Sequence, residues 1–409
     1  MRRSIPAVAV MAGLALTLTA CSSGDDTSSS DDSTTAAAGD GGSLTVWVDE
    51  TRQAAVEAAA QDFTAETGTQ VETVLKNYDD IRTDFIAQVP TGEGPDITVG
   101  AHDWLGELTT NGVVAPIELG DLADDFEEVS VEAFTQDGQV YGLPYAVENI
   151  ALIRNTALAA DAPATWDEMI AAGQAAGTTY PVLIQTGEEG DPYTYYPLQT
   201  SFGAPVFEQN DDGSYNSTLA MGGANGEAFA TWLAEQGAAG TVDTAITYDI
   251  ALEAFKNGES PFIIGGPWML DSFSDLDLAV SAIPSAGGQE AQPFAGVQGF
   301  YVSAQSNNAL LANDFLLNYM STEDAQLALY EAGHRPPALI AAADVASEDP
   351  VTAGFREVGT TAAPMPSIPE MASVWTFWGV TEAAIITGSQ EPVAAWQKMI
   401  SDIEGAIGG

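Results

Sequence analysis

The chain has 409 residues, with 10 Lys+Arg against 59 Asp+Glu and a formal net charge of −49. So few basic groups exclude nucleic-acid binding, which needs clustered Lys and Arg on phosphates. The acidity also repels anionic membrane surfaces, and its plain reading is a hydrated, self-repelling surface rather than one that steers cations.

Met1 to Ala20 reads as a secretory signal, with Arg2 and Arg3 as a basic start and an apolar run from Ile5 to Ala20. That run is short of the roughly 20 residues a spanning helix needs, and no later stretch is long and apolar enough. It ends Leu18-Thr19-Ala20 before Cys21, the only Cys in the chain, so no intramolecular disulfide can form. Small residues leading into a Cys resemble the bacterial lipobox, which implies cleavage there and a lipid on Cys21. With Arg2 and Arg3 removed, 8 basic groups against 59 acidic ones leave −51. Ser22 to Ser43 holds only Ser, Asp, Thr, Gly and Ala, so residues 21–43 are expected to form a disordered stalk. One acylated residue and no second span imply a protein anchored on the outer face of the membrane by lipid alone.

About 365 residues follow the stalk, more than one core usually supports, which predicts two lobes. Leu44–Val48 reads as a strand. Arg52–Thr67 carries Val56, Ala60 and Phe63 at helical spacing before Gly68. Val71–Leu75 is a second strand. Ile81, Phe85 and Val89 mark a helix ended by Pro90, and Asp96–Val99 a third strand. This alternation predicts an α/β lobe with mainly parallel pairing. A second α/β set starts near Ala151–Asn155, with a capping box at Thr165 and Glu168 opening a helix that stops at Gly177. Strands are expected at Val182–Gln185, Phe262–Ile264 and Leu278–Ile283, and helices at Ala224–Gln236 and Tyr248–Asn257. Helices Ala309–Met320 and Ser321–Ala332 follow, the second with Ser321 and Asp324 in capping-box positions. After the Pro-rich segment Pro364–Pro369 come helices near Glu370–Thr387 and Pro392–Ala406.

No G-x-x-x-x-G-K-[ST] motif is present, so the chain is not a nucleotide-hydrolysing subunit. The two histidines, His102 and His334, are far apart and the folded part has no Cys, which argues against zinc. No G-x-S-x-G elbow supports a serine nucleophile. No cofactor is expected. The positive signal is aromatic: Trp104, Tyr193, Tyr195, Tyr196, Trp268, Trp375 and Trp378 cluster in loop-like segments or late stretches. Flat rings suit the C–H faces of sugars, carboxylates and Arg suit the hydroxyls, and α/β ligands bind beyond the carboxyl ends of strands.

The segments Gly94-Pro-Asp-Ile-Thr-Val-Gly-Ala-His-Asp103, Tyr145-Ala-Val-Glu148, Thr165-Trp-Asp-Glu168, Ala254-Phe-Lys-Asn-Gly-Glu259, Gly266-Pro-Trp268, Pro293-Phe-Ala-Gly296 and Met365-Pro-Ser-Ile-Pro-Glu-Met371 occur in an order that resembles the maltose/maltodextrin-binding proteins. Those are the solute-binding components of ABC sugar importers. The resemblance implies a periplasmic-binding-protein-like fold, two α/β lobes joined by a multi-crossing hinge around a ligand cleft. The lobes are then 44–147 with 300–345, and 148–299 with 346–409. It implies ligand contacts at Asp49, Arg52, Asp103, Trp104, Glu148, Asp191, Tyr193, Tyr196, Trp268 and Trp375. Trp104 stands where the family usually has Arg, Tyr196 where it has Trp, Asp191 where it has Glu, and Gly100 where a Trp is common. It implies an oligosaccharide ligand of the maltose or maltodextrin type, an ABC permease as partner, a monomer, and no enzymatic activity.

Several residues keep a second reading. Arg52 is either a sugar contact or a solvated first-turn residue. His102 is expected to buttress its loop, and Trp166, Trp232 and Trp396 to be core. Arg335 reads equally as a cleft residue or a helix cap. Rival functions are binding of another oligosaccharide such as trehalose or cyclodextrin, a secreted glycosidase, or a structural surface lipoprotein.

Overall fold

The structure, a computed structural model, describes residues 42–210 and 214–408. The signal, Cys21 and the stalk up to residue 41 lie outside the described residues. Ser43, counted above with the stalk, is the first residue of the strand Ser43–Val48.

The first sheet has seven strands. Ser43–Val48 pairs in parallel with Gln70–Leu75 on one side and Ile97–Ala101 on the other. The long strand Phe294–Ser303 then pairs antiparallel with Ile97–Ala101 and with Gly142–Asn149. This corrects the expectation of mainly parallel pairing. The first three strands are parallel because helices Glu50–Thr67 and Tyr78–Gln88 return the chain between them; the fourth arrives from the other lobe and runs the opposite way.

The second sheet orders Leu278–Ser281, Ala151–Asn155, Phe262–Gly265 and Leu183–Ile184, with only the last pair parallel. Its strands other than the half-buried edge Leu278–Ser281 are buried on both faces, and the period of two decides which core each side chain joins. Leu152, Ile184, Phe262 and Ile264 pack with Phe229, Trp378 and Trp396. Ile153, Leu183 and Ile263 pack on the other side with Phe255, Phe273 and Phe355. A separate core of Leu44, Val46, Phe63, Phe85, Phe134, Phe300 and Phe315 fills the first lobe. Trp378 and Trp396 are fully buried, each such side chain contributing about 1.5–3 kcal/mol. Trp166 and Trp232 are core as well, ring against ring at 5.0 Å.

The strand pair Gly142–Asn149 and Phe294–Ser303 passes between the lobes. Phe294 belongs to the second-lobe core, while Val297 and Phe300 belong to the first. Register shifts at Gln298/Gly299: Gln298 faces Ala146 and Gly299 faces Pro144, leaving Tyr145 as the extra residue of a bulge. Bulges re-aim side chains, and this one presents the Tyr145 hydroxyl to Arg52.

Helix starts follow local chemistry. Asp49 caps Glu50–Thr67 by accepting from Thr51 N–H at 2.9 Å, so the helix starts at Glu50 rather than at Arg52 as read from the sequence. Thr165 caps Trp166–Ala176, and Glu168 reaches back to Ala164 N–H at 3.0 Å. The Ser321 cap is a correction. The preceding helix widens into a π turn over Leu316–Met320, Ser321 donates back to Leu317 C=O at 2.7 Å, and Thr322 caps Glu323–Gly333 instead. No helix among the described residues is long and apolar enough to cross a membrane.

Candidate functional site

A cavity of about 1120 Å³ is lined by side chains of both lobes and of the two crossing strands. Its floor is a chain of polar contacts. The Asp49 cap fixes the first turn of the helix that carries Arg52 three residues on, so the two side chains pair on one helix face. The Arg52 guanidinium donates from Nε to the Tyr145 hydroxyl and from Nη2 to Gln298 Oε1 at 3.2 Å, and lies 4.8 Å from the Tyr78 ring centroid. Burial opposes its charge, but the Tyr145 and Asp49 oxygens more than offset that and hold its pKa above the ordinary value. Gln298 Oε1 also accepts from Tyr78 at 2.8 Å, and its Nε2 donates to Glu148 Oε1 at 2.9 Å. Arg335 Nε donates to the other Glu148 oxygen at 2.6 Å, and its guanidinium lies 5.6 Å from the Trp268 ring. Arg335 therefore lines the cavity, which settles its open reading.

Four of the chain's ten basic side chains, Arg52, Lys76, Arg82 and Arg335, line this cavity. Each is matched by a carboxylate: Asp49, Asp84, Glu107 and Glu148. Each also lies over an aromatic ring: Tyr78, Trp47, Trp104 and Trp268. The cavity also holds Glu50, Asp79 and Asp103 outside these pairs, but all four of its cations are oriented and already paired. Such a surface offers fixed donors and acceptors with no free cation among the described lining residues to hold an anion, which suits a neutral, polyhydroxylated ligand.

The second-lobe wall is aromatic. Trp268 follows the strand Phe262–Gly265, and its ring folds back over Gly266, where no Cβ obstructs it. Tyr193 lies 6.3 Å from it and lines the cavity, its buried hydroxyl without a hydrogen-bond partner among the described residues. Trp375 lines the cavity with the buried Trp378 stacked behind it at 5.4 Å.

Of the residues singled out by sequence, Asp49, Arg52, Asp103, Trp104, Glu148, Tyr193, Trp268 and Trp375 line this one cavity. Burial raises the Asp103 pKa, and His102 and Arg82 partly draw it back. Asp191 and Tyr196 are corrections, since neither lines the cavity. The Asp191 carboxylate caps the helix Pro192–Thr200, accepting from Thr194 N–H at 3.2 Å, Thr194 Oγ1 at 2.9 Å and the Gln185 amide. Tyr196 is core, stacked on Phe294 with centroids 3.5 Å apart and edge-on to Trp378. His102 buttresses: its Nδ1 accepts from Val297 N–H at 3.0 Å, which places the proton on Nε2 for Met365 C=O at 2.9 Å. Burial lowers its pKa and keeps it neutral.

Sequence reasoning missed Tyr78 and Gln298 altogether. Gln298 carries a usable signal, a long polar side chain inside the apolar strand Phe294–Ser303, because a buried polar group needs partners.

A family model for bacterial extracellular solute-binding proteins matches residues 58–354. The maltodextrin-binding protein MdxE of Bacillus subtilis is 30% identical over 380 residues, covering 89% of this chain and 88% of that protein. A maltooligosaccharide ABC transporter solute-binding lipoprotein of Streptococcus pneumoniae is 27% identical over 352 residues, 81% of each chain. Among solved structures, the Thermus thermophilus maltotriose-binding protein bound to maltotriose aligns with a TM-score of 0.81 at 32% identity, over 89% of this chain and 100% of that one. A family match over most of the chain, on a two-lobed frame that encloses an aromatic cavity with a paired polar floor, makes this chain a member of the bacterial extracellular solute-binding proteins.

Proposed function

We propose that this protein captures maltose- and maltodextrin-type α-glucans in the interlobe cavity and delivers them to the membrane subunits of an ABC importer, held at the outer face of the cell membrane by a lipid on Cys21. The observation that carries the reading is the pairing of cavity-lining tryptophans with a charge-compensated polar floor. Rings take the C–H faces of glucose units and the fixed polar groups take the hydroxyls. The volume, about 1120 Å³, lies just above the usual range for small-molecule sites, which favours a short oligosaccharide over a single hexose. Sugar bridging the two lobes stabilises the closed arrangement, and closure is the signal passed on. The protein performs no chemistry on the sugar and works as a monomer.

Calorimetric titration with maltose, maltotriose, maltotetraose, trehalose, cyclodextrin and a galacto-oligosaccharide tests the ligand class. Binding of the linear maltooligosaccharides, with compaction by small-angle scattering and no release of reducing sugar, is expected. Binding restricted to another sugar, or cleavage of the chain, overturns the reading. For the anchor, Cys21→Ser should leave membranes for the medium with its melting curve unchanged.

A further inference from the structure

Two tryptophans on opposite lobes of the cavity rest on glycines. Trp268 lies on Gly266 in the second lobe. In the first lobe, Gly100 is the next-to-last residue of the buried strand Ile97–Ala101, and a Cβ placed on it would fall 2.6 Å from Trp104 Cε3, 2.7 Å from Cζ3 and 3.1 Å from Tyr301 Cε2. Carbon atoms in contact sit about 3.5–4.0 Å apart, so any side chain at position 100 must push the indole away. On its other sides Trp104 meets the Tyr78 ring at 5.3 Å and the Arg82 guanidinium at 6.0 Å. The ring is held by packing, it lines the cavity, and no protein acceptor takes its N–H among the described residues.

We infer that Gly100 and Trp104 act as one specificity-determining unit: the glycine is the seat that lets the indole form a first-lobe sugar platform, the counterpart of Trp268 across the cavity. Resting on the function proposed above, this deepens it by naming what the first lobe contributes. The indole supplies a flat apolar face for the C–H side of a glucose unit and one donor for a hydroxyl. Gly100 is a positioning residue that touches no ligand and acts only through the ring.

The test is a double-mutant cycle with maltotriose as the probe, read by calorimetry and by tryptophan fluorescence. Trp104→Ala should weaken binding about tenfold or more, and Trp104→Phe should recover most of it. Gly100→Ala should weaken binding comparably, because its methyl displaces the ring. The double variant should bind no worse than Trp104→Ala alone, since the glycine has nothing left to seat. If Gly100→Ala does not fold, removal of the indole should restore folding in the double variant. Unchanged affinity in Trp104→Ala, penalties that simply add, or a double variant that stays unfolded overturns the inference. A wild-type protein that ignores maltotriose but binds another sugar overturns the proposed ligand instead, and the cycle is then run with that sugar under the same criteria.

Discussion

Gln298 and Glu148 are diagonal neighbours on the two strands that pass between the lobes, and Gln298 Nε2 donates to Glu148 Oε1 at 2.9 Å. The same Gln298 side chain accepts from Arg52 and Tyr78, and Glu148 in turn holds Arg335. One amide therefore orients acceptors and donors that reach the cavity from the first lobe and from the crossing.

Replacing it should uncouple that floor. Gln298→Leu leaves Arg52 Nη2, the Tyr78 hydroxyl and Glu148 Oε1 each short of a partner, at about 1–3 kcal/mol for a group that stays buried and unpaired. Sugar affinity should fall by about ten- to a hundredfold, with a lower melting temperature. Calorimetry alongside a melting curve checks both, and an unchanged affinity would show that Arg52 and Glu148 hold their positions without it.

Trp268 and Trp375 should behave as ligand-stacking rings. Each Ala variant should fold and bind maltooligosaccharide about tenfold to a hundredfold more weakly, from the loss of about 1–3 kcal/mol of ring contact. Titration of both variants decides the matter; wild-type affinity in the pair would place the sugar elsewhere.

Asp191 and Tyr196 should report on stability rather than affinity. Asp191→Ala removes a helix cap and should cost about 0.5–2 kcal/mol, while Tyr196→Ala opens a hole beside Phe294 and Trp378 and should cost about 3–5 kcal/mol. Denaturant titration measures the losses. Titrating the folded fraction with sugar should give an affinity near wild type, and a collapse of affinity without loss of stability would return them to the site.

Glu382 predicts a pH effect. It is fully buried, and burial together with Asp191 raises its pKa well above the usual carboxylate range, with the Trp378 indole only partly drawing it back. The folded protein keeps this proton while the unfolded chain releases it above the ordinary carboxylate pKa. Its contribution to stability is therefore fully present in acid and declines as pH rises out of that range. Glu382→Gln, which cannot ionise, should gain melting temperature over wild type at about pH 8 and little at about pH 5. An equal gain at both would mean that Glu382 is ionised in the fold or not titrating in the window.

The fold was legible where one local pattern had one meaning. The Thr165–Glu168 box, the apolar run at Phe262–Ile264 and the 3.6-residue spacing of Val56, Ala60 and Phe63 each specify an element through nearby residues alone. Direction of pairing was not, because the antiparallel strand Phe294–Ser303 meets partners almost 200 residues earlier. In the site, Asp191 misled because an acid before Pro and Tyr reads alike as a helix cap and as a sugar acceptor. Tyr193 and Tyr196 lie on one helix face and both stack on Phe294, but only the first reaches the cavity. One turn of helix separates a wall from the core, and spacing carries no depth. Arg335 could not be placed from sequence since its partner, Glu148, is 187 residues away.

The strand Phe294–Ser303 gives side chains to the cores of both lobes. Neither lobe can therefore come apart on its own without pulling a strand from its neighbour, so the two should share a single cooperative unfolding transition, with equal calorimetric and van't Hoff enthalpies. A chain cut near residue 297 into separately expressed halves should give two fragments that fold only together.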